Sequence, residues 1–134
     1  MDQVTPAIRS KIMAAVHTRH TGAELAVRSI VHRLGYRYSL TRHELPGKPD
    51  LTFVSRRKVI FVHGCFWHGH SCKYGQLPKS RLRYWRPKIA KNKARDRQQV
   101  MRLRRAGWSV MVVWQCQLRI VGNLATSIEG FLND

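Results

Sequence analysis

The apolar run KVIFV (58–62) passes without a break into HGCFWHGHSC (63–72). The first stretch is β-branched and aromatic, as a buried strand requires. The second abandons that pattern and brings together His63, Cys65, Phe66, Trp67, His68, His70 and Cys72. A strand end therefore delivers soft metal ligands and two large aromatics into one short loop. Three explanations compete: a catalytic metal site, a structural metal site, or a surface that grips something flat.

The flanking segments supply the frame. LTFV (51–54) and KVIFV are joined by the basic turn SRRK, which predicts a β-hairpin. WSVMVVW (108–114) predicts a further buried strand after the break at Gly107. YRYSL (36–40) reads as another strand, and ELPGKP delivers the chain to Asp50. Helices are expected at 6–17, where Thr5 and Pro6 supply start signals, and at about 22–34, with Leu25, Ile30, Val31 and Leu34 as its apolar face. Two more are expected at about 85–106 and 122–132. The order α-α-β-β-β-α-β-α implies one α/β domain over 1–134, a small mixed sheet flanked by helices.

Lys and Arg number 25 against seven Asp and Glu, a net charge of +18. Such an excess repels itself in a compact fold and fits a chain whose partner is a polyanion, nucleic acid first of all. No segment has the basic and broad apolar faces of a membrane-surface helix, and no apolar run reaches the length of about 20 residues that spans a bilayer. The N-terminal residues MDQVTPAIRSKIM lack the apolar core of a secretory signal, so a cytoplasmic protein is expected. In a reducing compartment three cysteines suit metal ligation better than disulfides.

Cys65, His70, Cys72 and the distant Cys116 form a set of three sulfurs and one nitrogen, the composition of a closed, structural tetrahedral Zn²⁺ site. The plainer reading takes Cys116 as a small core hydrophobe and Cys65 and Cys72 as incidental free thiols. Asp50 opens a strand and His63 closes its hairpin partner, so pairing brings a carboxylate near a histidine, with His68 beyond. A carboxylate there is a natural Mg²⁺ ligand, and a neutral imidazole can orient or deprotonate a water. A turn Asp and two polar surface histidines would look the same. Glu24 is explained locally by a capping box with Thr21, and Asp96 by pairing with neighbouring Arg residues. Phe66, Trp67 and Trp85 lie in basic surroundings, where aromatics stack on bases or wedge between them; packing over the zinc loop is the alternative. Trp108 and Trp114 belong to a strand and are expected to pack in the sheet. The basic residues of 79–105 would supply phosphate contacts, many of them as a solvated face.

LPGKPD (45–50), VIFVHGCFWHGHSC (59–72), YW-x2-KI-x-KN-x2-RD (84–96) and VVWQC (112–116) together resemble the very-short-patch repair (Vsr) endonucleases, from RSKIM at 9–13 to QCQL at 115–118. The resemblance implies a restriction-endonuclease-like α/β core that nicks one DNA strand 5′ of the T in a T:G mismatch. Such mismatches arise when 5-methylcytosine deaminates, which implies a functional link to a cytosine-5 DNA methyltransferase and to mismatch-repair proteins. Carried onto this chain, it implies Asp50 and the main-chain carbonyl of Val62 as Mg²⁺ ligands, His63 and His68 as catalytic histidines with His68 activating the water, and Glu24 and Asp96 in support. It implies Cys65, His70, Cys72 and Cys116 as zinc ligands, Phe66, Trp67 and Trp85 as intercalating aromatics, and Met13 as a wedge from the opposite groove, on an N-terminal DNA-contacting segment (1–20). Val62 replaces a Thr, and Gln115 a Glu, found among such enzymes; Gly69 and Ser71 stand where relatives can carry His. A monomer is expected, since one nick needs one active site. A zinc-stabilised DNA-binding module without catalysis, or a nuclease of broader substrate range, is the competing reading.

Overall fold

The computed structural model describes residues 22–40 and 44–134; Met13, the helix expected at 6–17 and the rest of the N-terminal segment lie outside the described residues. The elements are α1 (Gly22–Arg33), β1 (Ser39–Leu40), β2 (Leu51–Phe53), β3 (Lys58–His63), α2 (Leu82–Arg105), β4 (Ser109–Trp114) and α3 (Val121–Asn133). The strands form one mixed sheet in the order β1-β2-β3-β4. The expected hairpin is present, with β2 and β3 antiparallel and Leu51 opposite Ile60. Its turn is a 3₁₀ segment, Val54–Arg56, closed by Arg57 in the left-handed conformation at φ 54°. β4 lies parallel to β3, from Lys58 opposite Ser109 to His63 opposite Trp114. The long α2 is the crossover that a parallel pair demands.

Alternation along β3 sorts the two faces. Ile60 and Leu51 join Phe53 and Val113 in a core with Val27, Ile30 and Val31 of α1 and Leu124, Ile128 and Leu132 of α3. Val59 and Phe61 face the other way and pack with Leu103 of α2, with Trp108, Val110 and Val112 at the edge. Helices thus cover both sheet faces, so β3 is buried almost throughout and shows no polar alternation.

Three sequence expectations need correction. YRYSL supplies only a two-residue strand, because Tyr36 and Tyr38 pack on the core from irregular backbone. Leu25 is 49% exposed, and Val27, fully buried, takes its place in the apolar stripe of α1. α2 starts at Leu82, three residues early, with Pro87 inside it. Pro87 cannot donate a helical hydrogen bond, a cost that places a sequence-based start just before it. Packing of Tyr84 and Trp85 against neighbouring rings holds the extra turn.

The hairpin also secures α3. Lys58, 8% exposed, donates through Nζ to the carbonyls of Phe131 and Asp134, while Arg56 Nη1 donates to Leu132 O at 2.9 Å. Cations here satisfy orphan carbonyls and complement the negative end of the helix dipole. Lys58→Met keeps the stem but removes the donors, and should cost about 1–3 kcal/mol in urea unfolding. A loss near zero would show that these contacts carry no stability.

Candidate active site and metal centre

The register of the parallel pair builds the first cluster. His63 and Trp114 are the last partners, so Cys65 and Cys116, each two residues further on, leave the sheet side by side. The Cys116 N–H donates to Cys65 Sγ at 3.4 Å. The loop after Cys65 turns back on itself through His68 N–H to Gly64 O, Gly69 N–H to Phe66 O and His70 N–H to Cys65 O. That fold returns His70 to the cysteines, with Nδ1 at 3.6 Å from Cys116 Sγ, and Cys72 completes the set. The four ligand atoms all lie within 4.8 Å of one another. A tetrahedral zinc with Zn–S near ~2.3 Å wants its ligands about 3.8 Å apart, so the donor set fits by both chemistry and spacing. The thiols are unequal. Burial pushes Cys65 up to about 12. Burial also opposes ionisation of Cys72, but hydrogen bonds from His70 and the Tyr74 and Gly75 backbone overcome it and bring the thiol down to about 6.

The second cluster sits at the same end of the sheet. Asp50 immediately precedes β2, and its Oδ2 accepts the Val62 N–H at 2.7 Å. Burial pushes the Asp50 carboxyl up to about 6; the Val62 N–H opposes this and the neighbouring, hydrogen-bonded Glu24 reinforces it. Glu24 is 3% exposed and pairs with Arg28 at 3.1 Å, so its side chain belongs to this buried carboxylate pair as well as to the start of α1. Two crowded carboxyl groups, one of them reluctant to ionise, form a donor set that a hard cation relieves. A strand residue points its N–H and C=O to the same side. Continuing the β2–β3 register places Pro49, which has no N–H, opposite Val62. Pro49 therefore offers no ladder donor to the Val62 carbonyl.

His63, 7% exposed, ends β3 on the α2 face and stacks on His68, with ring centroids 3.8 Å apart and planes 3° from parallel. Burial, then the proximity of His68, lowers the His63 pKa to about 4, so the ring is neutral near pH 7. Its Nδ1 is buried with no hydrogen-bond partner among the described residues. His68 Nδ1 lies 2.6 Å from Asp96 Oδ2 of α2. Asp50, Val62, His63, His68 and Asp96 line one open cleft with Arg95.

The aromatics meet beside it. Phe66, Trp67 and Trp85 form a mutual edge-to-face cluster with centroids 5.3, 5.0 and 5.7 Å apart. All three rings are half-buried. Trp114 does more than pack in the sheet: it stacks on His70 at 4.1 Å and meets His63 edge-on at 5.3 Å, and so joins the two clusters. Gly69 has φ +63°, and a Cβ there would lie 2.6 Å from Lys93 Cδ and 2.8 Å from Ile89 Cγ2, so a side chain at this position would displace those of Lys93 and Ile89. Sequence reading missed Asn92, whose Nδ2 donates to Trp67 O at 2.9 Å. The available signal was its place one helical turn before Asp96.

Elemental analysis should find one zinc per chain, and a strong chelator should lower the thermal midpoint by more than about 10 °C, since loss of a structural site removes folding free energy directly. A chain without zinc, or one unmoved by chelation, would exclude the four-ligand site.

Known proteins place this architecture. Residues 1–74 match the family described as DNA mismatch endonuclease Vsr. A "Type II nicking enzyme V.XorIIP" of Xanthomonas oryzae pv. oryzae is 52% identical over 132 residues, covering 98% of this chain and 97% of that protein. The "DNA mismatch endonuclease Vsr" of Escherichia coli K12 is 43% identical over 113 residues, 84% of this chain and 72% of its own length. The catalytic domain of the homing endonuclease I-Bth0305I shares the fold at a TM-score of 0.59 and 14% identity, over 84% of this chain and 94% of that one. With the fold shared and a relative matched along nearly its whole length, the chain belongs to the Vsr family of DNA mismatch endonucleases.

Proposed function

We propose that this chain is a monomeric, Mg²⁺-dependent endonuclease that nicks one DNA strand 5′ of the T in a T:G mismatch. The observation that carries the reading is one junction: Trp67 belongs to the aromatic cluster, and the next residue, His68, belongs to the cleft of Asp50 and His63. A surface that opens a base stack and groups that hydrolyse a phosphodiester are thus held on one tied loop. A binding module without catalysis has no use for the stacked His63–His68 pair or for Asp96.

A T:G wobble stacks less well than a matched pair, so insertion of Phe66, Trp67 and Trp85 costs less there and selects it by deformability. Arg95 and the surrounding basic surface neutralise the strand's phosphates. Mg²⁺ held by Asp50 and the Val62 carbonyl would supply charge neutralisation at the scissile phosphate. Asp96 accepts the Nδ1 proton of His68, which leaves Nε2 to take a proton from the attacking water. His63, neutral and packed face to face on His68, fixes the orientation of that ring. Glu24 positions Asp50 through their hydrogen bond. Zinc held by Cys65, His70, Cys72 and Cys116 keeps the loop in register. Met13, outside the described residues, is assigned the opposite groove by resemblance. In a cytoplasm where a cytosine-5 methyltransferase marks DNA, such a nick would begin short-patch repair and hand over to mismatch-repair proteins.

Duplexes with a T:G pair in several flanking sequences should be nicked 5′ of the T with Mg²⁺, at least about 100-fold faster than matched controls. Asp50→Ala should abolish cutting and keep binding within a few-fold. No nick at any T:G site, or full activity of the variant, rejects the assignment. The pH profile provides a second measurement. Asp50 is raised, so it is protonated and offers no ligand below about pH 6. The rate should fall about tenfold per unit below that point, and the acid limb should move lower as Mg²⁺ is raised. An acid limb indifferent to Mg²⁺ would remove Asp50 from metal binding.

A further inference from the structure

The loop 64–70 uses its own amides to satisfy three successive carbonyls: Gly64 O accepts from His68, Cys65 O from His70 and Phe66 O from Gly69. The next carbonyl, that of Trp67, takes its hydrogen bond from outside, from Asn92 Nδ2 at 2.9 Å. This carbonyl belongs to the peptide group that joins Trp67 to His68. Asn92 therefore holds the one peptide plane shared by the aromatic cluster and the histidine pair. α2 grips the same segment at two further points in register. Trp85, seven residues earlier on the helix, packs on the Trp67 ring at 5.7 Å, and Asp96, four residues later, holds the His68 ring at 2.6 Å. At 3.6 residues per turn, positions 85, 92 and 96 fall on one face. Ile89, buried on the same face, lies directly against Gly69.

We infer that Asn92 is a positioning residue that couples seating of the aromatic wedge to alignment of His68, so that strand cutting depends on an opened base stack. The inference rests on the mismatch-nicking reading above. If Trp67 moves as it inserts, the Asn92 hydrogen bond carries that movement to the peptide next to His68 and against the rigid helix that holds its ring. Without the clamp the two residues rotate independently about the freed peptide, and insertion no longer sets the histidine.

The test uses the full chain with Asn92→Ala and the near-isosteric Asn92→Asp, which replaces the donor by an acceptor facing the same carbonyl. In the free protein, hydrogen exchange of amides 64–70 should rise about tenfold in both variants while zinc content stays stoichiometric; unchanged exchange overturns the clamp whatever the substrate. In single-turnover cutting of a T:G duplex, Asn92→Ala should keep binding within about threefold and lose at least tenfold in the cutting step, with Asn92→Asp lower still. On a duplex whose T already lies in an unpaired loop, insertion is not needed to open the stack, and the loss should shrink to within about threefold. Wild-type rates on T:G, or an equal loss on both substrates, overturn the coupling. Absence of T:G preference in the wild-type enzyme counts against the substrate reading, and the exchange result still decides the clamp.

Discussion

Everything at the functional end of this molecule depends on the closure of Cys65, His70 and Cys72 onto Cys116. A loop with two glycines and two large aromatics has no reason to hold one shape in water, because fixing each residue's backbone costs about 1–2 kcal/mol. Its internal hydrogen bonds close turns but do not tie it to the sheet. The attachment to the end of β4 does, and it works because the parallel register carries Cys65 and Cys116 out of the sheet together. Phe66, Trp67 and His68 are held between that attachment and the contacts from α2, while His63 is set by β3 and Trp85 by α2.

A second constraint acts across the same sheet end. Asp50 and Glu24 reach it from opposite layers, one at the start of β2 and the other from α1. Their proximity, together with burial, disfavours the charged form of Asp50. Hydrophobic packing of α1 and α3 on Ile60, Leu51 and Val113 holds the pair in place despite it.

Much of this was legible in the residues, for physical reasons that differ by element. The β2–β3 hairpin and β4 announce themselves because both sheet faces are covered, which leaves uninterrupted apolar runs. The Cys65, His70, Cys72 and Cys116 cluster was legible because the chain's three cysteines and a histidine suggest a common metal, and the fold brings these four together. What stayed hidden depended on tertiary contacts. Glu24 looked like a capping residue, although it is buried against a residue 26 positions away. Trp114 looked like sheet packing, although its ring bridges two clusters. The start of α2 was displaced because ring contacts outweigh the local cost of Pro87. Asn92 is marked only by its place one helical turn before Asp96, which gives no sign of which distant carbonyl it holds.

The parallel pairing of β3 and β4 bears on how the molecule comes to exist. Cys65 and Cys116, which meet at its end, are 51 positions apart with the 24-residue α2 between them. Pairings of such long sequence separation are the slow, late events of folding, because the loop must close before any contact rewards it. The hairpin and helices can form early from local contacts, but neither the histidine stack beside Trp114 nor the anchored aromatics can. The cleft beside Trp114 is therefore assembled only once that long-range pairing is in place. Strand scission waits on completion of the fold.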